Sequence, residues 1–186
     1  MALTKVTGSG ANGLTLSSTD LTITSGDLIF GTSAKGPVIG ATSNTAANTL
    51  DDYEVGSWVP TFKNEGDTNL SIGYQSAYTH GRYVKLGPVV QFQMTIAISS
   101  VSGDSSGQHL NVNNMPFTAK TYETNSNGGG VVPYASAWDT DPVVGLLLGN
   151  STNFRFYANH AGTTIKSDAL QSSSWIQVYG QYETSS

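Results

Sequence analysis

From residue 89 to residue 98 the chain alternates without a break. Val90, Phe92, Met94, Ile96 and Ile98 take every second position, with Gln91, Gln93 and Thr95 between them. Successive side chains of a strand point to opposite faces, so this spacing predicts a strand with one apolar and one polar face. A helix would scatter the same residues around its circumference. Residues 78–87 alternate in the same way about Gly81, and Gly87-Pro88 divides the two runs into a strand pair. Trp58-Val59-Pro60-Thr61-Phe62 predicts a first strand, with Pro60 holding Val59 extended and with Trp58 and Phe62 on one face. Further strands are predicted around residues 70–78, 109–112, 131–138, 143–148, 154–158 and 175–183, and Trp58 and Trp175 read as core. Residues 64–69 and 99–107 read as a polar turn and a loop, and Met115-Pro116-Phe117 as a corner. Residues 121–130 end in three glycines and read as a flexible hairpin tip or surface loop. Strands at a spacing of roughly 8–12 residues predict an all-β protein, an antiparallel β-sandwich of the jelly-roll kind.

The N-terminal part follows another rule. Written in sevens, residues 13–33 read GLTLSST, DLTITSG, DLIFGTS. Leu14, Leu21 and Leu28 fall in one column, and Leu16, Ile23 and Phe30 in a second. Each unit is a short alternation followed by Ser, Thr or Gly, which predicts a strand and a turn. A coiled-coil heptad would fill its remaining positions with Ala, Glu and Lys. A unit this small must bury its apolar face against neighbours, either in an intertwined assembly or as an edge hairpin on the head. Residues 31–48 have linker composition. The chain therefore divides into an N-terminal tail (1–12), a heptad-spaced β-rich appendage with its linker (13–48) and a head domain (49–186).

Composition narrows the partners. Charged residues make up 11% of the 186, less than half the usual share, so Ser, Thr, Asn, Gln and Gly must carry the solubility. With a net charge of −5 and eight basic residues in no cluster, nothing offers the lysine-arginine footprint that nucleic acid requires. There is no cysteine, hence no disulfide or thiolate metal site, and this fits folding in a reducing cytosol. MALTKVTGSG lacks the apolar segment of a signal peptide, and no run approaches the ~20 apolar residues of a membrane helix, so membrane insertion is not expected.

Three stretches carry a resemblance: LDDYEVGSWVPTF, GRYVKLGPVVQFQ and NNMPF. They resemble the C-terminal head of a family of bacteriophage tail-fibre and virion fibre proteins, whose members carry an LDDYEEGTWTP segment, a G-x-Y-x-K-x-G-x-x-V strand pair and a short L-P-F turn. The match runs over residues 50–60, 81–90 and 115–117. It departs at Val55, where the family has glutamate, and at Pro88, where it has asparagine. The resemblance implies a homotrimer on the virion, assembled in the host cytoplasm. Residues 1–12 would dock it to other virion proteins, and Leu14, Leu16, Leu21, Ile23, Leu28 and Phe30 would meet at the threefold axis. It also implies attachment to a host cell-surface polysaccharide or protein.

Candidate chemistry is sparse. Asp139 and Asp141, or Asp51, Asp52 and Glu54, could run glycoside hydrolysis if two carboxylates stood about 5–9.5 Å apart in a cleft, but beside Pro142 the first pair reads as a turn. His80, His109 and His160 are scattered and form no metal-ligand spacing. No glycine-rich loop leads into the lysine and helix of a phosphate cradle. No catalytic residue, metal or cofactor is expected. Sugar binding is the more natural reading, because a pyranose stacks its apolar face on an aromatic ring and offers hydroxyls to Asp, Asn or Gln. Tyr134, Trp138 and Asp139 form one candidate patch, and Tyr122, Asn125 and Asn127 a second. Asn150, Asn153 and Asn159 surround a further aromatic strand. The expectation is a non-enzymatic tail fibre or spike. The alternatives are a virion structural or decoration protein without receptor role and a carbohydrate-binding module.

Overall fold

The computed structural model describes residues 53–66, 70–103, 107–121, 126–159 and 162–184. The N-terminal tail and the appendage with its six apolar residues lie outside them. The described chain forms ten strands: β1 (Tyr53–Trp58), β2 (Phe62–Asn64), β3 (Ser71–Tyr74), β4 (His80–Leu86), β5 (Val89–Ser102), β6 (Leu110–Val112), β7 (Ser126–Trp138), β8 (Val144–Leu148), β9 (Phe154–Tyr157) and β10 (Leu170–Glu183). A 3-10 turn, Ser167–Ala169, precedes β10.

All pairings are antiparallel. The order is β1-β4-β5-β10-β7-β8-β9-β6-β2, with β3 added on β5. β1 and β2 stand at opposite ends of this order, yet only Val59, Pro60 and Thr61 separate them. Four Cα steps reach about 14 Å at most, so the sheet has to roll until its two ends nearly meet. The result is the antiparallel, jelly-roll-like class that the alternation predicts. It also corrects the expected Trp58–Phe62 strand. Pro60 is a buried corner, and Trp58 and Phe62 belong to strands at opposite ends of the sheet. Asn114 fixes the corner, accepting from the Thr61 N–H (2.9 Å) and donating to the Val59 carbonyl (2.7 Å).

β5 matches its sequence pattern: Val90, Phe92, Met94, Ile96 and Ile98 are buried, while Gln91 and Gln93 are exposed. β5 extends to Ser102 because β3 pairs with its end, so the loop expected from residue 99 starts later. The core lies inside the roll, with Phe154 packed edge-on to Phe92 (5.6 Å) and Phe156 (5.2 Å). Three inward-facing glycines share one row across the sheet, since Gly180 pairs with Gly130 and Gly130 with Gly145. A Cβ on Gly145 would stand 2.1 Å from the Phe154 ring, and one on Gly180 2.3 Å from the Gly129 carbonyl. The run Gly128-Gly129-Gly130 is therefore no loop tip; it is strand, held between β10 and β8.

Candidate functional site: an aromatic cleft at a bulged end of the sheet

β7 and β10 lose register near their ends. Leu170 pairs with Trp138 and Trp175 with Ser136, so residues 171–174 face Ala137 alone. Ala137 (φ 59°) and Ser173 (φ 77°) both take left-handed backbone, a conformation that costs non-glycine residues of order 1–3 kcal/mol and clusters at functional sites. The buried Ser174 holds the bulge. Its hydroxyl donates to the Ala137 carbonyl (2.6 Å) and accepts from the Gln171 N–H (2.9 Å). Bulges re-aim side chains, and this one separates Tyr134 from Trp138. Trp138 turns inward, edge-on to Phe62 (5.8 Å), with its indole N–H donated to the Trp175 carbonyl (3.1 Å). Tyr134 stays on the outer face, 51% exposed.

Trp175 departs from its expected place. It is half-buried on the outer face, its ring 5.2 Å from that of the exposed Tyr78. Two hollows meet at Trp175 and Gln177. One, about 270 Å³, is bounded by Tyr78, His80, Gln93 and Thr95, and the other, about 400 Å³, by Tyr134, Ser136 and Ser173. With Tyr179, which also borders the first hollow, four aromatic rings thus stand among two glutamine amides and several hydroxyls. Ring faces next to neutral donors and acceptors suit a ligand with apolar faces and a hydroxyl rim. No Asp, Glu, Lys or Arg lines either hollow.

Of the other predicted residues, Asp139 stands apart from this cleft, its carboxylate accepting from the Gln171 amide (2.7 Å). Asn159 is engaged with Thr163, donating to its hydroxyl (3.1 Å) and accepting from its N–H (3.2 Å). Tyr122, Asn125 and the side chain of Asn127 lie outside the described residues, as do Asp51, Asp52 and His160. Glu54 accepts the Tyr83 hydroxyl, and this bond raises the tyrosine's pKa. Among the described residues no three His, Cys, Asp or Glu are grouped as metal ligands. Tyr78, Trp175 and Gln177 are not legible in the sequence as site residues because the pairing of β4, β5 and β10 brings them together. The left-handed Ser173 leaves no compositional trace.

No protein-family model matches the chain, and no curated protein matches it. Among solved structures it is similar to the crystal structure of the Dettilon tailspike protein (gp208), with a TM-score of 0.54 and 20% sequence identity. The match covers 70% of this chain and 24% of the tailspike, so the chain corresponds to about a quarter of that protein's length. The likeness is one of fold.

Proposed function

We propose that this protein is the head-bearing part of a bacteriophage tail fibre or tailspike that attaches the virion to a host cell-surface glycan, binding without catalysis. The observation that carries the proposal is the cleft of Tyr78, Trp175 and Tyr134, whose rings stand among the amides of Gln93 and Gln177. Neutral hydrogen-bonding groups beside open aromatic faces serve recognition, whereas glycoside hydrolysis needs two carboxylates across the bond. The fold shared with part of a tailspike and the LDDYEVGSWVP and GRYVKLGPVV segments support the virion setting. In this reading the protein is a homotrimer. Residues 1–12 dock it to other virion proteins, and the apolar pairs of residues 13–30 join the three chains.

Full-length protein carrying a fluorescent label should adsorb to cells of susceptible strains and compete with intact particles. Trp175→Ala and Tyr134→Ala should lower that competition at least tenfold while keeping the wild-type far-UV spectrum. Wild-type protein that adsorbs to no susceptible strain would leave a virion structural role in place of attachment. Adsorption untouched by both substitutions would move the receptor site away from this cleft.

A further inference from the structure

The outer face of the rolled sheet is short of charge. One row across six strands reads Val55, Val84, Gln91, Gln181, Gly129 and Leu146. In the adjacent row, from Ser57 to Val144, Arg82 is the sole charged residue. At one end of the face a knob rises from β1 and β4, where Tyr53 is 66% and Val55 61% exposed and Val84 and Leu86 stand beside them. At the other end is a groove of about 710 Å³, floored by Gly129, Gly130, Gly145 and Gly180 and walled by Val131, Leu146 and Tyr179. The same glycines that let the core rings approach from inside leave this depression outside.

A third row runs from Tyr53 through Leu86 and Val89 to Glu183. With strands about 4.8 Å apart and rows about 7 Å apart, the three rows measure roughly 25 by 20 Å, or about 500 Å² of flat area. A stable interface takes ~800 Å² from each partner, so this face would supply the larger part of one. Its apolar ends flank a middle of Gln91, Gln93 and Gln181, and depletion of charge, more than apolar area, is what sets an interface apart. We infer that the occupant of this face is a second copy of this chain, with the β1–β4 knob of one protomer seated in the glycine-floored groove of the next. The sheet is rolled around its core, so the outer face is convex. Two convex faces related by a twofold axis cannot seat both knobs in both grooves at once. A heterologous, head-to-tail contact can, and with three copies it closes into a ring. This inference rests on the homotrimer reading above and adds head contacts to those of the appendage.

The absence of cysteine makes cross-linking a clean test on the full-length chain. Under mild oxidation the double variant Val55→Cys, Leu146→Cys should run on a denaturing gel as a covalent trimer, while each single variant stays at the mass of one chain. A disulfide dimer from either single variant, or a dimer as the final product of the double variant, would overturn the ring. So would a double variant that remains single-chain on oxidation while light scattering shows an oligomer. Separately, Val55→Glu and Leu146→Glu should each weaken trimer formation at least tenfold in sedimentation, with unchanged far-UV spectra. The side chains of both positions project outward, so the fold has no need of them. Trimers unaffected by both would refute this contact and leave the homotrimer reading standing. A monomeric wild-type protein at micromolar concentration would remove both.

Discussion

β5 and β7 flank β10 on either side and are nearly equal in length, at 14 and 13 residues. They are opposite in construction. β5 buries a bulky side chain at every second position and pairs with β10 over residues 89–97 without a shift. β7 carries three consecutive glycines, slips register twice against β10 and holds a left-handed Ala137 one residue before its end. β5 supplies the centre of the core. β7 supplies half of the groove's floor and one wall of the aromatic cleft. The contrast teaches that regular alternation builds the interior, while the surfaces open to a partner arise where the strand departs from it.

The strongest way to break this contrast is to give the irregular half a side chain. Gly145→Val puts a branched side chain where the Phe154 ring already stands, and overpacking a filled core costs typically 1–3 kcal/mol, more when backbone must move. Here the clash is with a fully buried ring, so a loss of at least about 3 kcal/mol is expected in urea unfolding. That would equal the ~3–5 kcal/mol of Phe92→Ala on the regular half, where a cavity opens instead. A Gly145→Val protein with the wild-type midpoint would show that the glycines are not a packing requirement.

A smaller loss is expected from Ser174→Ala. The buried hydroxyl both donates to Ala137 and accepts from Gln171, and losing it strands a carbonyl and an N–H at a cost of about 1–3 kcal/mol. Because Ser174 adjoins Trp175, ligand binding should weaken along with stability. Unchanged stability in denaturant titration would mean that the bulge holds itself without this hydroxyl.

The same contrast explains what the sequence discloses. β4, β5 and β10 were legible because their side chains alternate between core and solvent, and a period of two survives in the letters. The corner at Pro60 was not, because a proline restricts its predecessor to extended backbone whether the strand continues or the chain crosses to the far end of the sheet. Gly128-Gly129-Gly130 read as a loop because glycine has two uses, freedom and close approach. Only the neighbouring Tyr182 and the Gln181 and Gly145 carbonyls tell which applies. Trp175 reads as core because a large aromatic ring usually is, although alternation from the buried Tyr182 back through Val178 and Ile176 already puts it on the opposite face. Tyr134 is legible as a candidate, and its partners Tyr78 and Gln177 are not, because they come from the turn before β4 and from β10.

The subtlest test lies on β10 itself, at the residue that touches both halves. Tyr182 pairs with Val90 of β5 on one side and Gly128 of β7 on the other, and a Cβ on Gly128 would stand 2.3 Å from its own Cβ. The glycine therefore makes room for this tyrosine, whose buried hydroxyl donates to the Phe117 carbonyl (3.2 Å) and accepts from the Phe117 N–H (3.1 Å). Burial pushes its pKa well above the ordinary tyrosine range, and the Phe117 N–H offsets only part of that. Below about pH 10 both the folded and the unfolded chain hold this proton, and stability is indifferent to pH on its account. Above that the unfolded chain releases the proton while the folded chain keeps it. Stability then falls as pH rises, by at most about 1.4 kcal/mol per pH unit. Tyr74 is also raised by burial, so the wild-type slope alone does not isolate Tyr182. The difference from Tyr182→Phe does, because Tyr74 is common to both. The variant should be less stable at pH 8, having lost two hydrogen bonds, and should fall less steeply between pH 9 and 11, so that the two curves converge. Parallel curves would mean that Tyr182 ionises as freely folded as unfolded, and the room left by Gly128 would then hold no protonated, buried hydroxyl.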